Sequence, residues 1–515
     1  MEMLCQLSHT PVRPPRIAGW PPGVAAWNAR AMPVGRRTKI VATLGPATDD
    51  PKVLDALIDA GTDTCRVNLS HGPIETSVAR VAQVRQAAGR AGRHIGVLCD
   101  LPGPKVRTAA FEDGVEVVPG QRLHLVNAGP GNPLTSDGSV IAVALAGAVS
   151  LLEPGDIVGL GDGGVQLEVL EPGSDTALVE VRSGGKLRGR PGVVLPEDRV
   201  PLTSPTADDL VMLERLLEVG VDYVAVSFVQ TAADVQAVRQ AAGPGGPLVI
   251  AKVETQAAVD DLEAILRAAD GVMVARGDLG VRVPLEDVPH IQRRLIQAGV
   301  SYGKPVITAT QMLESMITAS TPTRAEVTDV ANAVSQGTSA VMLSAETAVG
   351  HDPVAVIEAM ARIIVRAEKE FDHVAWGQRL GRQQHASMGE VSAASRITSA
   401  ITAAAWQASV DVEPAAIIAC TRSGWTAKAI SRFRPSCPLL GVTPNPVTAR
   451  QLSLAWGVTP LVVIELATTD DIVWCAVEAA VKGGYVKPGD IVAVLAGNPN
   501  DSTATTDVLR LVPLR

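Results

Sequence analysis

Aromatic residues make up only 3% of this 515-residue chain. Its cores must therefore be packed with small aliphatics, and Ala, Val and Gly are abundant. That composition suits layered strand-and-helix architectures. Cysteine is scarce as well: Cys5, Cys65, Cys99, Cys420, Cys437 and Cys475 are scattered, with no C-x-x-C pair. The spacing excludes a disulfide framework and reads as core thiols in a reducing compartment, so a soluble, cytoplasmic protein is expected. No apolar run approaches the roughly 18 residues of a membrane span. A basic excess is missing too, since 54 acidic residues against 45 basic ones give a net charge of −9. Nonspecific nucleic-acid binding needs a basic face, so neither nucleic acid nor membrane is expected as a partner. Finally, no G-x-x-x-x-G-K-[ST] loop and no H-R-D or D-F-G motif occurs. Neither P-loop nor protein-kinase geometry is available to this chain.

The first 35 residues hold several Pro and Arg, a single acid (Glu2) and no period. They read as a disordered extension, or as sequence preceding a true start at Met32. A targeting peptide fits less well, because Ser is scarce and Pro abundant. From Thr38 onward, apolar strand runs alternate with helix-patterned segments. The strand candidates begin at Lys39, Thr64, His94, Asp222, Leu248, Gly271, Lys304 and Ser339. Between them, PKVLDALIDAG and ADDLVMLERLLEVG carry apolar residues at i, i+3, i+4 and i+7. Asp208 and Asp209 in a first turn, and Gly220 after a last one, mark helix ends. Eight such units predict a (β/α)8 barrel over 36–106 and 201–373. Over 107–200 the helical period vanishes, and short alternating runs (LHLVNAG, DIVGLGDGGVQLEVL, TALVEVRSGG) predict a small inserted β domain, a lid. The remainder, 374–515, predicts a separate α/β domain with strands AAIIACT, LLGVT, LVVIEL and IVAVLAG.

Charge gathers at the C-terminal ends of the barrel strands, where barrel enzymes keep their chemistry. LVIAKVE ends in Lys252 and Glu254, and GVMVARGDLG in Arg276 and Asp278. Strand two supplies Arg66, Asn68, Ser70 and His71; strand three supplies Asp100, then Lys105 and Arg107. Ser227, Thr310, Ser344 and Glu346 close the other strands. Two carboxylates could share a hard divalent cation, so Glu254 and Asp278 are the candidate Mg²⁺ (or Mn²⁺) ligands. Arg66, Arg107 and Lys252 would face phosphate or carboxylate. Ordinary salt bridges at strand ends, or a local cap by Ser344 and Glu346, are the competing readings.

The motifs KIVATLGPAT, RVNLSHG, IAKVETQ, DGVMVARGDLGV, ITATQMLESMI, PTRAEVTDVANAV and VMLSAETAVG are long and co-linear. From about Arg36 to the C-terminus the chain resembles the pyruvate kinases. The resemblance implies a (β/α)8 TIM barrel with an inserted small β-barrel domain and a C-terminal α/β regulatory domain. It implies phosphoryl transfer from phosphoenolpyruvate to ADP, giving pyruvate and ATP, by a homotetramer under allosteric control. Lys252 then matches the lysine on the transferring phosphoryl group, and Arg66 the arginine on the phosphate of phosphoenolpyruvate. Thr310 and the backbone of Arg276 and Gly277, beside Asp278, match the substrate-carboxylate pocket. Asn68, Ser70 and Asp100 match a monovalent-cation site. His71 and Arg107, with Asn68, match nucleotide contacts.

The chain departs from the pattern in two places. Where potassium-requiring members carry Thr, Lys and Glu after strand three, this chain has Leu101, Pro102 and Lys105. A Lys105 ammonium paired with Asp100 would replace K⁺, so no K⁺ requirement is expected. In the lid, RGRPGVVLP puts Arg190 where relatives often have a nucleotide-contacting lysine pair. In the C-terminal domain, Thr421, Ser423 and Thr426 of T-R-S-G-W-T form a cradle for a phosphorylated effector, with helix capping by Ser423 as the alternative. Two other functions compete: a Mg²⁺-dependent lyase of pyruvate-like acids, which needs neither Lys252 nor a lid, and a non-catalytic phosphoenolpyruvate sensor, which would be expected to have lost Lys252, Glu254 or Asp278.

Overall fold

The computed structural model describes residues 35–515 apart from 130–135, 162, 198, 201, 388–391 and 500–504. The N-terminal extension, Gly35 excepted, and the alternative start at Met32 lie outside the described residues. Eight parallel strands close into a barrel: Lys39–Leu44, Thr64–Asn68, Gly96–Asp100, Tyr223–Val226, Leu248–Val253, Gly271–Ala275, Val306–Ala309 and Ala340–Leu343. They are strands one to eight below. Nearly every strand residue is buried, because helices cover the outside and side chains fill the inside. That is why the runs read as continuous apolar stretches rather than alternating ones. The helix ends are those the sequence predicts. Asp50 caps Pro51–Asp59 by accepting from Lys52 N–H at 2.8 Å. Thr206 and Asp209 cap Ala207–Val219 reciprocally, and Gly220 closes that helix at φ +71°.

One strand end differs from expectation. Strand six stops at Ala275, and Arg276–Arg282 is a short helix, so Arg276, Gly277 and Asp278 stand in its first turn rather than on the strand.

Between strands three and four lie a two-stranded pair, Phe111–Val117 with Gly185–Gly189, and a six-stranded sheet from Arg122 to Val194. They share a core of their own, including Leu125, Ile141, Leu167 and Val179. The insert rests on the barrel through Glu197, which pairs with Arg282 at 2.9 Å.

The C-terminal sheet is ordered Val458–Val462, Leu439–Thr443, Ala416–Cys420, Ile491–Ala496, Val508–Pro513. The run LVVIEL is not itself the strand. Parallel pairing of Leu439–Thr443 with Val458–Val462 draws the strand three residues earlier, and Pro460 is tolerated because this is an edge. The antiparallel strand Val508–Pro513 has no forerunner in the sequence reading.

The segment after Gln451 plugs the N-terminal mouth of the barrel. Leu454 joins Val41, Leu98, Ile250 and Met273 in the interior cluster. Arg450 pairs with Asp222 at 2.8 Å, Tyr223 donates to Gln451 O at 2.5 Å, and Thr64 and Ser453 hydroxyls meet at 2.7 Å. A Cβ at Gly96 would collide with Ser453 Oγ, so this approach requires glycine. The opposite mouth is left for chemistry. No helix among the described residues is long and apolar enough to cross a membrane.

Candidate active site

Asp100, at the end of strand three, organises the rim. Its side chain is buried, and both oxygens meet cations. Oδ2 accepts from Arg66 Nε at 2.8 Å and lies 2.7 Å from Arg66 Nη2; Oδ1 lies 3.3 Å from Lys252 Nζ. Parallel register sets this up, pairing Asn68 with Asp100 and placing Arg66 one pleat earlier on the neighbouring strand. Burial would raise the Asp100 carboxyl, but Lys252 and Arg66 hold it below the ordinary range. Burial would likewise lower the Lys252 ammonium, yet Asp100 and then Glu254 raise it above its usual value. Lys252 is thus a fixed positive charge at neutral pH. Thr43 and Ser227 complete the frame. Arg66 Nη1 donates to Thr43 Oγ1 at 3.1 Å, and Lys252 Nζ donates to Ser227 Oγ at 2.7 Å. No local pattern marked Thr43, which sits inside the run KIVATL.

Glu254 follows strand five and is fully buried. Oε2 accepts from Phe228 N–H at 2.8 Å, across a backbone held at φ +55°. Oε1 forms an ion pair with Lys252 Nζ at 2.8 Å. Burial raises this carboxyl, Lys252 opposes the rise, and the charge of half-buried Asp278 adds to it. A buried carboxylate beside a second carboxylate is a donor set that fits a divalent cation. No group of three or more His, Cys, Asp or Glu converges among the described residues.

Thr310, just past strand seven, has φ +64° and is followed by Gln311 at +53°. A β-branched residue with positive φ is rare and strained. Its hydroxyl donates to Ala309 O at 2.7 Å and accepts from Gly277 N–H at 2.9 Å. Two of the groups assigned to a carboxylate pocket, the Thr310 hydroxyl and the Gly277 N–H, are thus engaged with each other. The Arg276 side chain turns away from the rim. It pairs with Asp329 at 2.6 Å and donates to Thr310 O at 2.5 Å, bracing the strained turn. Asp329 carried no signal in the sequence.

Around this centre, Arg107 Nη1 donates to Arg190 O at 3.1 Å and Arg190 Nε to Thr108 O at 3.4 Å, binding the two edges of the insert's stem. The exposed His71 has its pKa lowered by partial burial and then by Arg107, Lys105 and Arg66. Asn68 Oδ1 accepts from Ser70 N–H at 3.1 Å. The expected Lys105–Asp100 pair is not present. Lys105 is exposed, and Asp100 is already occupied by Arg66 and Lys252, which reach it from adjoining strands. Glu346 is a local cap, accepting from Ser344 N–H at 2.6 Å and Leu313 N–H at 3.2 Å, and takes no part in the rim.

In the C-terminal sheet, Thr421, Ser423 and Thr426 line one open cleft with Arg422, Val442, Ile464, Leu466 and Ile472. Thr426 Oγ1 is bonded to Thr506 Oγ1 at 2.7 Å, and Ser423 Oγ accepts a long 3.5 Å bond from Trp425 N–H.

The fold defines a (β/α)8 barrel enzyme with basic and acidic side chains gathered at one mouth. The family model for the pyruvate kinase barrel domain matches residues 35–357, and that for the pyruvate kinase alpha/beta domain matches 399–512. Curated relatives include a pyruvate kinase of Methylorubrum extorquens, 40% identical over 480 residues, covering 93% of this chain and 98% of that protein. A pyruvate kinase of Sporosarcina psychrophila is 38% identical over 482 residues, covering 92% of this chain and 80% of the relative. Pyruvate kinase 2 of Synechocystis is 39% identical over 492 residues, covering 94% and 80%. The chain belongs to the pyruvate kinase family.

Proposed function

We propose that this chain transfers the phosphoryl group of phosphoenolpyruvate to ADP, giving pyruvate and ATP. The observation that carries the reading is the pairing of Arg66 and Lys252 on the two oxygens of one buried aspartate, beside Glu254 and Asp278. Phosphoryl transfer asks for positioning and charge neutralisation rather than covalent help. Arg66 and Lys252 donate to the phosphoryl oxygens, and Asp100 keeps both cations aimed without being able to leave. An oxygen of the ADP β-phosphate attacks phosphorus, the bond to the enolate oxygen breaks, and the enolate is protonated at carbon. Glu254 and Asp278 would hold Mg²⁺ or Mn²⁺, which when bound supplies the charge neutralisation the carboxylates and phosphates need. The Thr310 turn shapes the end of the pocket that takes the substrate carboxylate, and its hydroxyl organises the proton donor.

Asn68, His71, Arg107 and Arg190 receive the phosphates of ADP; the cations Arg107, Lys105 and Arg66, which add to burial in lowering His71, support this. K⁺ is not required. The support is no longer a Lys105–Asp100 pair but the neutralisation of Asp100 by Arg66 and Lys252, with Lys105 adding positive charge near His71. Thr421, Ser423 and Thr426 take the phosphate of an allosteric effector in the C-terminal cleft. The protein works as a cytoplasmic homotetramer.

The test is the release of pyruvate from phosphoenolpyruvate and ADP, read through lactate dehydrogenase as loss of NADH, with Mg²⁺ and with EDTA. Turnover that needs ADP and Mg²⁺ supports the reading. Pyruvate released without ADP, or no turnover with Mg²⁺, Mn²⁺ and both substrates present, removes it.

A further inference from the structure

A concentration of unneutralised positive charge lies at the seam between the N-terminal mouth of the barrel and the C-terminal sheet. A small, open cleft there is lined by Lys304, Lys428, Arg432 and Arg434, together with Ser339 and Trp456, and by no carboxylate among the described residues. Lys304 Nζ donates to Ala269 O at 2.7 Å. Arg432 donates long bonds of 3.2–3.3 Å to Ala429 O, Ser301 O and Ser399 Oγ. Arg434 is 1% exposed and sits among Phe371, Trp376 and Trp456. Its Nη2 donates to Gly337 O and Thr338 O at 2.6 and 2.7 Å, but its buried Nη1 has no acceptor. The buried indole Nε1 of Trp456 has none either. The half-buried Lys428 ammonium makes no hydrogen bond or ion pair among the described residues.

The nearest carboxylates that act on these cations are spent elsewhere. Asp270 is held by Arg239 at 2.7 Å and Val249 N–H at 2.9 Å, and Glu368 by Thr38 N–H at 2.5 Å and Arg37 N–H at 2.9 Å. Burial lowers all four cations, Arg432 to about 10 and Arg434 to about 9. Four cationic side chains around one cleft, with no facing carboxylate among the described residues and one ammonium without a partner, call for a ligand with several acceptors and negative charge.

We propose that this cleft binds a tetrahedral oxyanion, either free phosphate or sulfate or the phosphoryl group of a small metabolite. The bound anion clamps the C-terminal sheet to the barrel. It is separate from the rim and from the effector cleft, although Lys428 lies on the helix Trp425–Ser431 whose first turn faces that cleft.

The probes are inorganic phosphate, selenate and glucose 6-phosphate, used on the full chain against chloride at matched ionic strength. Calorimetry and thermal melts compare the wild type with Lys428→Gln, which has no internal hydrogen bond to lose, and with Lys428→Arg, which keeps the charge. Anomalous diffraction from selenate-soaked wild-type crystals locates the anion whether or not a variant folds. The expected results are a selenate peak in the cleft, a phosphate affinity about tenfold weaker in Lys428→Gln, as loss of one charged hydrogen bond implies, and near-wild-type affinity in Lys428→Arg. Ser423→Glu leaves this site unaffected. A Lys428-dependent response to glucose 6-phosphate at lower concentration than to phosphate identifies the anion as a metabolite's phosphoryl group; the reverse order identifies the free anion. Selenate at the rim or the effector cleft only, with phosphate responses identical in wild type and Lys428→Gln, overturns the proposal.

Discussion

Lys252→Met deletes the ammonium that lies 2.8 Å from Glu254, 3.3 Å from Asp100 and 2.7 Å from Ser227 Oγ. At an effective dielectric of about 20, each ion contact represents about 5–6 kcal/mol of gross attraction. Most of that offsets the cost of dehydrating three charges, so the stability lost should be about 3–5 kcal/mol, as for removal of one partner from a buried pair. The loss is unequal. Asp100 keeps Arg66, whereas Glu254 keeps only the Phe228 N–H. A melt in EDTA should fall by roughly 6–20 °C, taking about 2–4 °C per kcal/mol for a domain of barrel size. Mg²⁺ should restore more of the melting temperature in the variant than in the wild type, because it supplies the charge that Glu254 has lost. Turnover in the lactate dehydrogenase-coupled assay should drop by at least about 10²–10³, the scale for loss of one preorganised charge. Near-normal turnover would refute the role of Lys252 in transfer. An unchanged melting temperature would refute the claim that it neutralises Glu254.

Three further outcomes are expected. With a large organic cation holding ionic strength, the wild-type rate should be independent of K⁺, and Lys105→Glu should be slower and partly rescued by K⁺; a wild-type rise of about tenfold, or 1.4 kcal/mol, on adding K⁺ would sink the idea. A phosphorylated metabolite should lower the half-saturating phosphoenolpyruvate concentration by roughly 5-fold or more, and Ser423→Glu should abolish the response through charge repulsion; a panel of sugar and nucleoside phosphates that neither activates nor binds would remove the effector site. Lys39 is buried at the barrel base and its pKa is lowered to about 8, chiefly by burial, with Asp63 opposing. The unfolded chain therefore binds one more proton than the folded chain between about pH 8 and 10.5, and folding grows more favourable across that window by up to roughly 3 kcal/mol from this group. Urea midpoints of wild type and Lys39→Met, compared at pH 8 and 10, should diverge in favour of the wild type as pH rises; parallel pH profiles would contradict the assignment.

The alternation of short β-branched runs with 3.6-period segments was enough to determine the barrel, the inserted β segment and the C-terminal α/β region. Both signals are local, set by which residues face a core within one element. The identities of the rim charges were legible for the same reason: a charged residue at the end of a buried strand stands out against its own run. What those charges do to each other was not legible. Asp100 could be paired on paper with Lys105, five residues on, yet barrel closure delivers Arg66 and Lys252 to it from strands two and five. The backbone of Arg276 could be placed at the pocket, but not the hold of Asp329 on its side chain, and only the positive φ of Thr310 reveals the turn that side chain braces. Leu454 in the barrel interior and the cationic seam around Arg434 bring together residues more than 100 positions apart. No periodicity encodes such meetings, because they depend on how finished elements pack and on which buried groups then find a partner.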